Sequence, residues 1–591
     1  MSDQKPVESI LGIDVGSALT HVCLIDLVEG TYRLIAHAEA PSTLHEPEND
    51  LNLGLLRAVK NLEYIAQRPL LDQVDDLVIP EHPSGAGVDA VVATSSAAPP
   101  LRCVLVALTD DLSMESAQRA CAGANVKIIR TIPLSVRSRR WDRQTVASLY
   151  QDPPDVILLV GGIDTGPVAP LESAARVLVT IYADFAERRP VIVFAGNQEA
   201  RRPLSAILSP VFKFRVVENV RPSLEVESLA ELQRELTELY QRIKLPTLPG
   251  YQQLQQRCMG PICATSEALG TTLRFIAQRD KLRHGVLGAD IGGTNTYIGA
   301  AQGDRCRWVL GADLGTTLGS AQVVERSGIA NVRRWLPISM QNEEALQHLE
   351  NARLRPHSIA QSTDDTFLLQ AVAHQALVLT MQRMRQQHWS RPEARPEEEV
   401  TSAFDLIAAR GGALTHAPSD GVAVLTLLDS LQPVGLTQLV LDWASTWPQL
   451  GALAQFAPLA AAQVLERDAF HELGAVIAPI GVAREGEFAL RLVIARDDGQ
   501  TMEVEIPAGT VQRIPLELND YATIEAYPGR GLDIGLGRKG TGGRAIVRGG
   551  SLGIIVDTRG RPLVLSEDPH QRQVKFQQWI RNLNGDIVTA S

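Results

Sequence analysis

The stretch Leu287-Gly288-Ala289-Asp290-Ile291-Gly292-Gly293-Thr294-Asn295-Thr296-Tyr297-Ile298-Gly299 decides how this chain folds. An apolar run ends in Asp-x-Gly, small hydroxyl residues follow, and a second apolar run leaves. The same plan stands earlier, at Ile10-Leu11-Gly12-Ile13-Asp14-Val15-Gly16-Ser17-Ala18-Leu19-Thr20-His21-Val22-Cys23-Leu24-Ile25. Each copy predicts two short strands joined by a tight turn, because glycine accepts a positive φ and leaves backbone N–H groups open to a ligand. A lone Asp-x-Gly is an ordinary hairpin. Two copies point to one bipartite site holding a polyphosphate from both sides. An Asp at each strand end can hold Mg²⁺ through waters, while Ser17, Thr20, Thr294, Thr296 and the turn amides donate to phosphate oxygens.

Around these turns the chain is long enough to be modular. Its 591 residues exceed one core and suggest roughly three to five units. Hydrophobic content of 45% and charged content of 21% describe a globular protein, not a disordered one. A net charge of -12 argues against a nucleic-acid partner, whose phosphates would call for excess Lys and Arg. The six cysteines (Cys23, Cys103, Cys121, Cys258, Cys263 and Cys306) form no Cys-x-x-Cys pair and read as buried thiols of a reduced compartment. No signal-peptide core and no membrane-spanning apolar run is present, so a cytoplasmic location and no membrane association are expected.

The alternation continues after the first hairpin through Thr31 to Ala40, and Leu51 to Gln67 has helical spacing. Three antiparallel strands and a helix open a ribonuclease-H-like lobe, and the hairpin near residue 290 opens a second. Between them, Val88–Ser96, Leu101–Ala107, Val126–Ile129, Val156–Val160 and Val191–Ala195 are continuous β-branched runs separated by helical patterns. Such runs describe a doubly wound, mostly parallel sheet. Its loops at Thr94–Ala97, Gly161–Gly166 and Ala195–Gln198 stand where open sheets bind ligands, but their glycine and asparagine serve turn geometry equally well, and the turn reading is preferred. Glu227 to Leu245 reads as a surface helix and Ser266 to Gln278 as a crossover helix.

In the second lobe, Gly311–Gly319 reads as a turn, with Asp313 a second-tier candidate. His357 through Ser390 reads as a helix on which His374 and the glutamines are partly exposed, with Met381, Met384 and Trp389 packing. Arg391–Glu399 reads as a charged solvent loop. Phe404–Thr415 is an apolar strand ending in Gly411-Gly412, a turn that lets a purine and its ribose approach the backbone. Gly451 to Val464 reads as one small-residue helix. Past residue 482, alternating strands and a Gly/Arg-rich middle (Arg530, Arg538, Lys539, Arg544, Arg548) read as a small barrel or sandwich closed by a helix over Gln571–Leu583. The fold class is therefore α/β: duplicated ribonuclease-H-like lobes, an inserted doubly wound α/β domain and a C-terminal β-rich domain. The expected boundaries are 8–85 for the first part of lobe I, 86–250 for the insert, 251–481 for lobe II and 482–591 for the C-terminal domain.

Asp14–Ser17, Asp290–Thr294 and Gly411-Gly412 together resemble the two phosphate motifs and the adenosine motif of the actin, hexokinase and DnaK-type ATPase superfamily. Thr94-Ser95-Ser96-Ala97, Leu158–Asp164, Ala195-Gly196-Asn197, Glu218–Pro222 and Leu428–Gly435 look like the MutL/GlmL family associated with adenosylcobalamin-dependent glutamate mutase. That resemblance covers residues 8 to about 480. It implies an ATP-binding actin-like chaperone, with Mg²⁺ and ATP as cofactors and slow ATPase activity, that reactivates a cobalamin-dependent mutase subunit. Asp14 and Asp290 would be catalytic and hold the metal. Gly16, Ser17, Ala18, Thr20, His21, Gly292, Gly293, Thr294, Asn295, Thr296, Gly411 and Gly412 would bind the nucleotide. His21 departs from the pattern, since such members often place Lys there, and a histidine is a weaker, pH-dependent phosphate partner. Two other readings stay open: a small-molecule kinase or ATP-dependent amidohydrolase of the same superfamily, and a non-catalytic scaffold with a degenerate nucleotide site.

Overall fold

The computed structural model describes residues 7–109, 111–134, 141–183, 189–389, 403–538 and 540–584. Asp110, the Arg391–Glu399 segment and Lys539 lie outside them. The described chain divides into two compact units, one spanning Ala97–Gln252 and the other containing the chain up to Ser96 and from Gln253 onward.

The larger unit holds both lobes. In the first, β1 (Ser9–Val15), β2 (Leu19–Val28) and β3 (Thr31–Pro41) form the antiparallel run, and the helix Leu51–Ala66 packs on it. β4 (Ala90–Ser95) then pairs parallel with β1, so the sheet order is β10-β4-β1-β2-β3 once β10 (Cys263–Ala264) is added. This corrects the expected start of the insert at residue 86. A strand buried on both faces has no alternation to say which sheet it joins, so the pattern of Val88–Ser96 fits either one.

The second lobe repeats the plan. β11 (Val286–Ile291), β12 (Thr296–Gln302) and β13 (Arg305–Gly311) are antiparallel, and β14 (Leu406–Arg410) pairs parallel with β11. β15 (Gly435–Leu441) and β16 (His471–Ala478) extend the sheet. The helix Thr363–Met384 lies between two cores: Ala373, Leu377 and Met381 face one, while Leu368, Val372 and Ala376 face the other. His374, Gln370 and Gln375 are therefore buried, against the expectation of partial exposure. His374 stacks on Trp335 with ring centroids 3.6 Å apart, and burial pulls its pKa down to about 3. The expected single helix over 451–464 is two, Trp447–Leu453 and Pro458–Arg467, the second opening on its proline.

The C-terminal strands are not a separate body. β17 (Phe488–Arg496), β18 (Thr501–Pro507), β20 (Tyr521–Pro528) and β21 (Gly543–Arg548) form an antiparallel sheet, but β19 (Val511–Ile514) and β22 (Ile554–Asp557) complete the lobe II sheet in the order β13-β12-β11-β14-β15-β16-β22-β19. The expected sandwich forms with the lobe II sheet as one of its layers: Ile477, Ile554 and Val556 share a core with Leu490, Leu492 and Ile524. The helix Pro569–Asn584 seats Phe576, Trp579 and Leu583 in the main lobe II core.

The smaller unit is a parallel sheet, β6-β5-β7-β8-β9, built from β5 (Leu101–Ala107), β6 (Val126–Pro133), β7 (Val156–Val160), β8 (Val191–Phe194) and β9 (Phe214–Val216). Two asparagines of its carboxyl-end loops bond within those loops, in keeping with the turn reading. Asn219 Nδ2 donates to Gly162 O and Asp164 Oδ1 at 2.9 and 3.0 Å, and Asn197 Nδ2 donates to Gly166 O at 2.6 Å.

Candidate functional site

The two Asp-x-Gly turns are the same object built twice. In the first, Val15 pairs with Thr20 and the Gly16 amide donates to Leu19 O at 3.0 Å; in the second, Ile291 pairs with Thr296 and the Gly292 amide donates to Asn295 O at 2.9 Å. Asp14 and Asp290 therefore hold equivalent places, across from His21 and Tyr297. The peptide N–H groups of Ser17, Ala18, Gly293 and Thr294 take no part in these turn bonds.

Folding brings the turns tip to tip. Ser17 Oγ and Thr294 Oγ1 share a hydrogen bond of 2.7 Å, and a Cβ on Gly293 would stand 3.2 Å from Ala18 Cβ and 2.7 Å from Thr317 Oγ1. The Gly311–Gly319 loop wraps the second turn, its Thr316 and Thr317 amides donating to Gly292 O and Gly293 O at 3.1 and 3.0 Å. Asn295 serves that wrapping, accepting the Asp313 amide at 3.0 Å. Thr20 and Thr296 are committed elsewhere: Thr20 Oγ1 meets Ser42 Oγ at 2.8 Å and Thr296 Oγ1 donates to Leu314 O at 2.6 Å, both hydroxyls buried. Their expected part as phosphate donors gives way to holding the turns in shape.

Gly411 and Gly412 follow β14 beside the second turn. Gly411 has φ +113°, and a Cβ there would collide with the carbonyl oxygen of Ile291, so only glycine fits. Gly412 is open, its nearest neighbour for a Cβ being His416 Nδ1 at 3.8 Å. His21 is turned to a carboxylate: its Nδ1 lies 3.2 Å from Glu39 Oε2, and His416 Nε2 from the other lobe lies 3.6 Å from Glu39 Oε1. The His21 hydrogen bond, against burial, holds Glu39 below the usual carboxylate range.

Behind the turns lies a charge cluster that extends beyond the sequence motifs. Arg410, the last residue of β14, is buried with Nη2 at 3.3 Å from Asp14 Oδ2, Nη1 at 3.4 Å from Asp290 Oδ2 and Nε at 3.6 Å from Asp442 Oδ2. Asp14 Oδ1 also accepts from Thr94 Oγ1 at 2.7 Å and Thr265 Oγ1 at 2.9 Å. Asp442 accepts the Thr446 and Trp447 amides at 2.8 and 2.9 Å. Burial works against the Arg410 charge, but Asp290, Asp14 and Asp442 outweigh it and raise its pKa; burial also raises Asp290 and Asp442. A charged residue closing a wholly apolar strand just before Gly-Gly was the one sequence signal for Arg410. Thr265 and Asp442 reach the cluster from distant segments that carry no motif.

The turn N–H groups, the facing hydroxyls and the open approach at Gly412 suit a polyphosphate with an attached nucleoside. Asp14 and Asp290, the residues expected to hold Mg²⁺ through waters, face each other across a third side chain. A guanidinium stands between the two carboxylates, Asp14 Oδ1 is taken by two hydroxyls, and among the described residues no group of three or more His, Cys, Asp or Glu side chains is arranged to hold a metal. Nor, among the described residues, is any helix long and apolar enough to cross a membrane.

A family model described as MutL protein matches residues 10–469, well over half of the chain. A curated relative, Protein MutL of Clostridium tetanomorphum, is 26% identical over 299 residues, covering 49% of this chain and 57% of the relative, so the match spans little more than half of that protein. Among solved structures, nucleotide-free acetone carboxylase aligns over 85% of this chain and 81% of its own at TM-score 0.34 and 11% identity. A nucleotide-free diol dehydratase-reactivating factor aligns over 76% and 99% at TM-score 0.30 and 10% identity. Similarity at this level carries no information about activity.

Proposed function

The chain belongs to the MutL protein family, and from that premise we propose that it is an ATP-binding protein of the actin-like fold acting as a chaperone or reactivating factor. Its partner would be an adenosylcobalamin-dependent mutase of the glutamate mutase type. The observation that carries the nucleotide part is the meeting of the duplicated turns, Ser17 of one lobe against Thr294 of the other at 2.7 Å. A polyphosphate seated there replaces that bond, with the Ser17 and Thr294 hydroxyls and the Ser17, Ala18, Gly293 and Thr294 amides as donors. The adenosine passes over Gly412.

Bound ATP supplies a γ-phosphate whose loss changes what the two turns hold in common. That difference in contacts is what lets a nucleotide bias two conformations. Asp14 is engaged by Thr94, Thr265 and Arg410, whereas Asp290, with 18% of its side chain exposed, is the more open carboxylate and the one to order an attacking water. Family membership supports the mutase as partner, and the unit at 97–252 is the candidate surface for it.

The test is calorimetric titration of ATP into wild type and Gly411→Val, followed by ATP turnover with and without a cobalamin-dependent mutase. Binding by wild type, its loss in a folded Gly411→Val, and mutase-stimulated turnover are expected. No binding under any condition would end the nucleotide reading, and turnover stimulated by a small metabolite instead of the mutase would replace it with the kinase or amidohydrolase reading.

A further inference from the structure

Phosphate sites between paired carboxylates need a cation, because two carboxylates and a polyphosphate repel one another strongly at these distances. Here the position between Asp14 and Asp290 is filled by the chain itself. Arg410 reaches both from the end of β14, and Asp442 anchors its Nε side at 3.6 Å. Its contacts of 3.3 to 3.6 Å are longer than the roughly 2.7–2.9 Å of a fully formed guanidinium–carboxylate bond. Among the described residues no acceptor closes a hydrogen bond on Nε. The guanidinium is thus held in place by charge, its Nε turned to Asp442 and its two terminal nitrogens to Asp14 and Asp290. The other two carboxylates are shielded without a metal: Asp14 by the Thr94 and Thr265 hydroxyls, Asp442 by the Thr446 and Trp447 amides. Gly411 turns the chain directly after Arg410 and packs on Ile291, which fixes the guanidinium's base to the second turn.

We propose that Arg410 is the resident cation of this cleft, standing between the two carboxylates that would hold a divalent metal and offsetting their charge, so that nucleotide binds without a required Mg²⁺. The proposal rests on the nucleotide reading above. Arg410 is a positioning residue in this role: it acts through the carboxylates, offsetting part of their repulsion toward the phosphates. An arginine does this as a fixed, always-charged fork and cannot be removed by chelation.

Two measurements on the full chain test it. The first is ATP binding by calorimetry in EDTA and in excess Mg²⁺. Wild type should bind within about threefold in the two buffers, whereas Arg410→Ala should bind poorly in EDTA and regain affinity when Mg²⁺ is added, by about tenfold or more. The second is Mn²⁺ binding followed by electron paramagnetic resonance without nucleotide. Wild type should show no Mn²⁺ site at the cleft, Arg410→Ala should gain one among the vacated carboxylates, and adding Asp290→Asn should abolish it. Arg410→Lys, which keeps a cation, should behave as wild type toward Mn²⁺. A wild type that loses binding tenfold in EDTA, or that binds Mn²⁺ at a site removed by Asp290→Asn, would overturn the proposal even if Arg410→Ala fails to fold. If no form binds ATP in either buffer, the nucleotide reading fails and with it the phosphate role, while the Mn²⁺ titration still decides whether Arg410 holds the cation position.

Discussion

Replacing Asp557 by alanine should be among the costliest single changes in the larger unit. Asp557 is fully buried at the end of β22 and accepts from Arg559 Nε at 2.9 Å, Arg559 Nη2 at 2.8 Å and Arg561 Nη2 at 2.7 Å, while Arg559 Nη1 reaches Asp429 at 2.7 Å. The wild-type cluster balances two carboxylates against two guanidiniums. Asp557→Ala leaves Arg559 paired with Asp429, and leaves Arg561 hydrogen-bonded to the carbonyls of Pro433 and Gly560 with no carboxylate in direct contact among the described residues. Removing one partner of a buried ion pair costs about 3–5 kcal/mol, because the other charge stays desolvated. Urea unfolding followed by tryptophan fluorescence suits the measurement, since Trp141 is the one tryptophan within 97–252 and the signal reports on the larger unit. Against burial, Arg559 and Arg561 hold Asp557 well below the usual carboxylate range, so its contribution is complete above about pH 4 and is lost only as pH falls further. Measured at pH 7, a loss below about 1 kcal/mol would refute the reasoning and mean that water reaches the stranded guanidinium.

Truncation after residue 481 should not leave a folded lobe II, because Phe576, Trp579 and Leu583 fill its core at about 1.5–3 kcal/mol each; a cooperative melt of residues 1–481 at the full-length temperature would contradict this. His374→Phe should make the protein more resistant to acid. The unfolded chain takes up a proton near pH 6.5 while buried His374 does not until about pH 3, so wild-type stability falls with pH through that window, and the difference between the two proteins should grow by about 1.4 kcal/mol per unit below pH 6. Denaturation midpoints at pH 7 and 5 that shift in parallel would exclude it. Gly411→Ala should cost about 1–3 kcal/mol in backbone strain alone and more in displacement of Ile291, with nucleotide binding lost before the fold; an unchanged melt and unchanged binding would show that the turn relaxes freely.

The parts of the fold that could be read in the sequence are those fixed locally. The Asp14 and Asp290 hairpins follow from apolar runs interrupted by Gly at the turn, and their register fixed Gly16 and Gly292 as well. Gly411 was legible because its backbone demands glycine. What stayed hidden depends on distant partners. The apolar run at Ala90–Ser95 could belong to either parallel sheet until its pairing with β1 is seen. Thr363–Met384 shows little one-sidedness because it is buried on opposite faces, which concealed the burial of His374. Arg410, Asp442 and Thr265 converge from three segments, and beyond the charge that closes β14 nothing in their local sequence announces that they meet. Thr20 and Thr296 carry the right chemistry for a phosphate but point into the protein.

Hydrogen exchange read by mass spectrometry, with and without saturating ATP, tests most directly whether the duplicated turns form one nucleotide site. Protection should appear together in the peptides spanning Asp14–Thr20, Asp290–Thr296 and Arg410–Thr415, and should vanish in Gly411→Val. Protection confined to the loops at Gly161–Gly166 and Ala195–Gln198, or no protection at all, would contradict it.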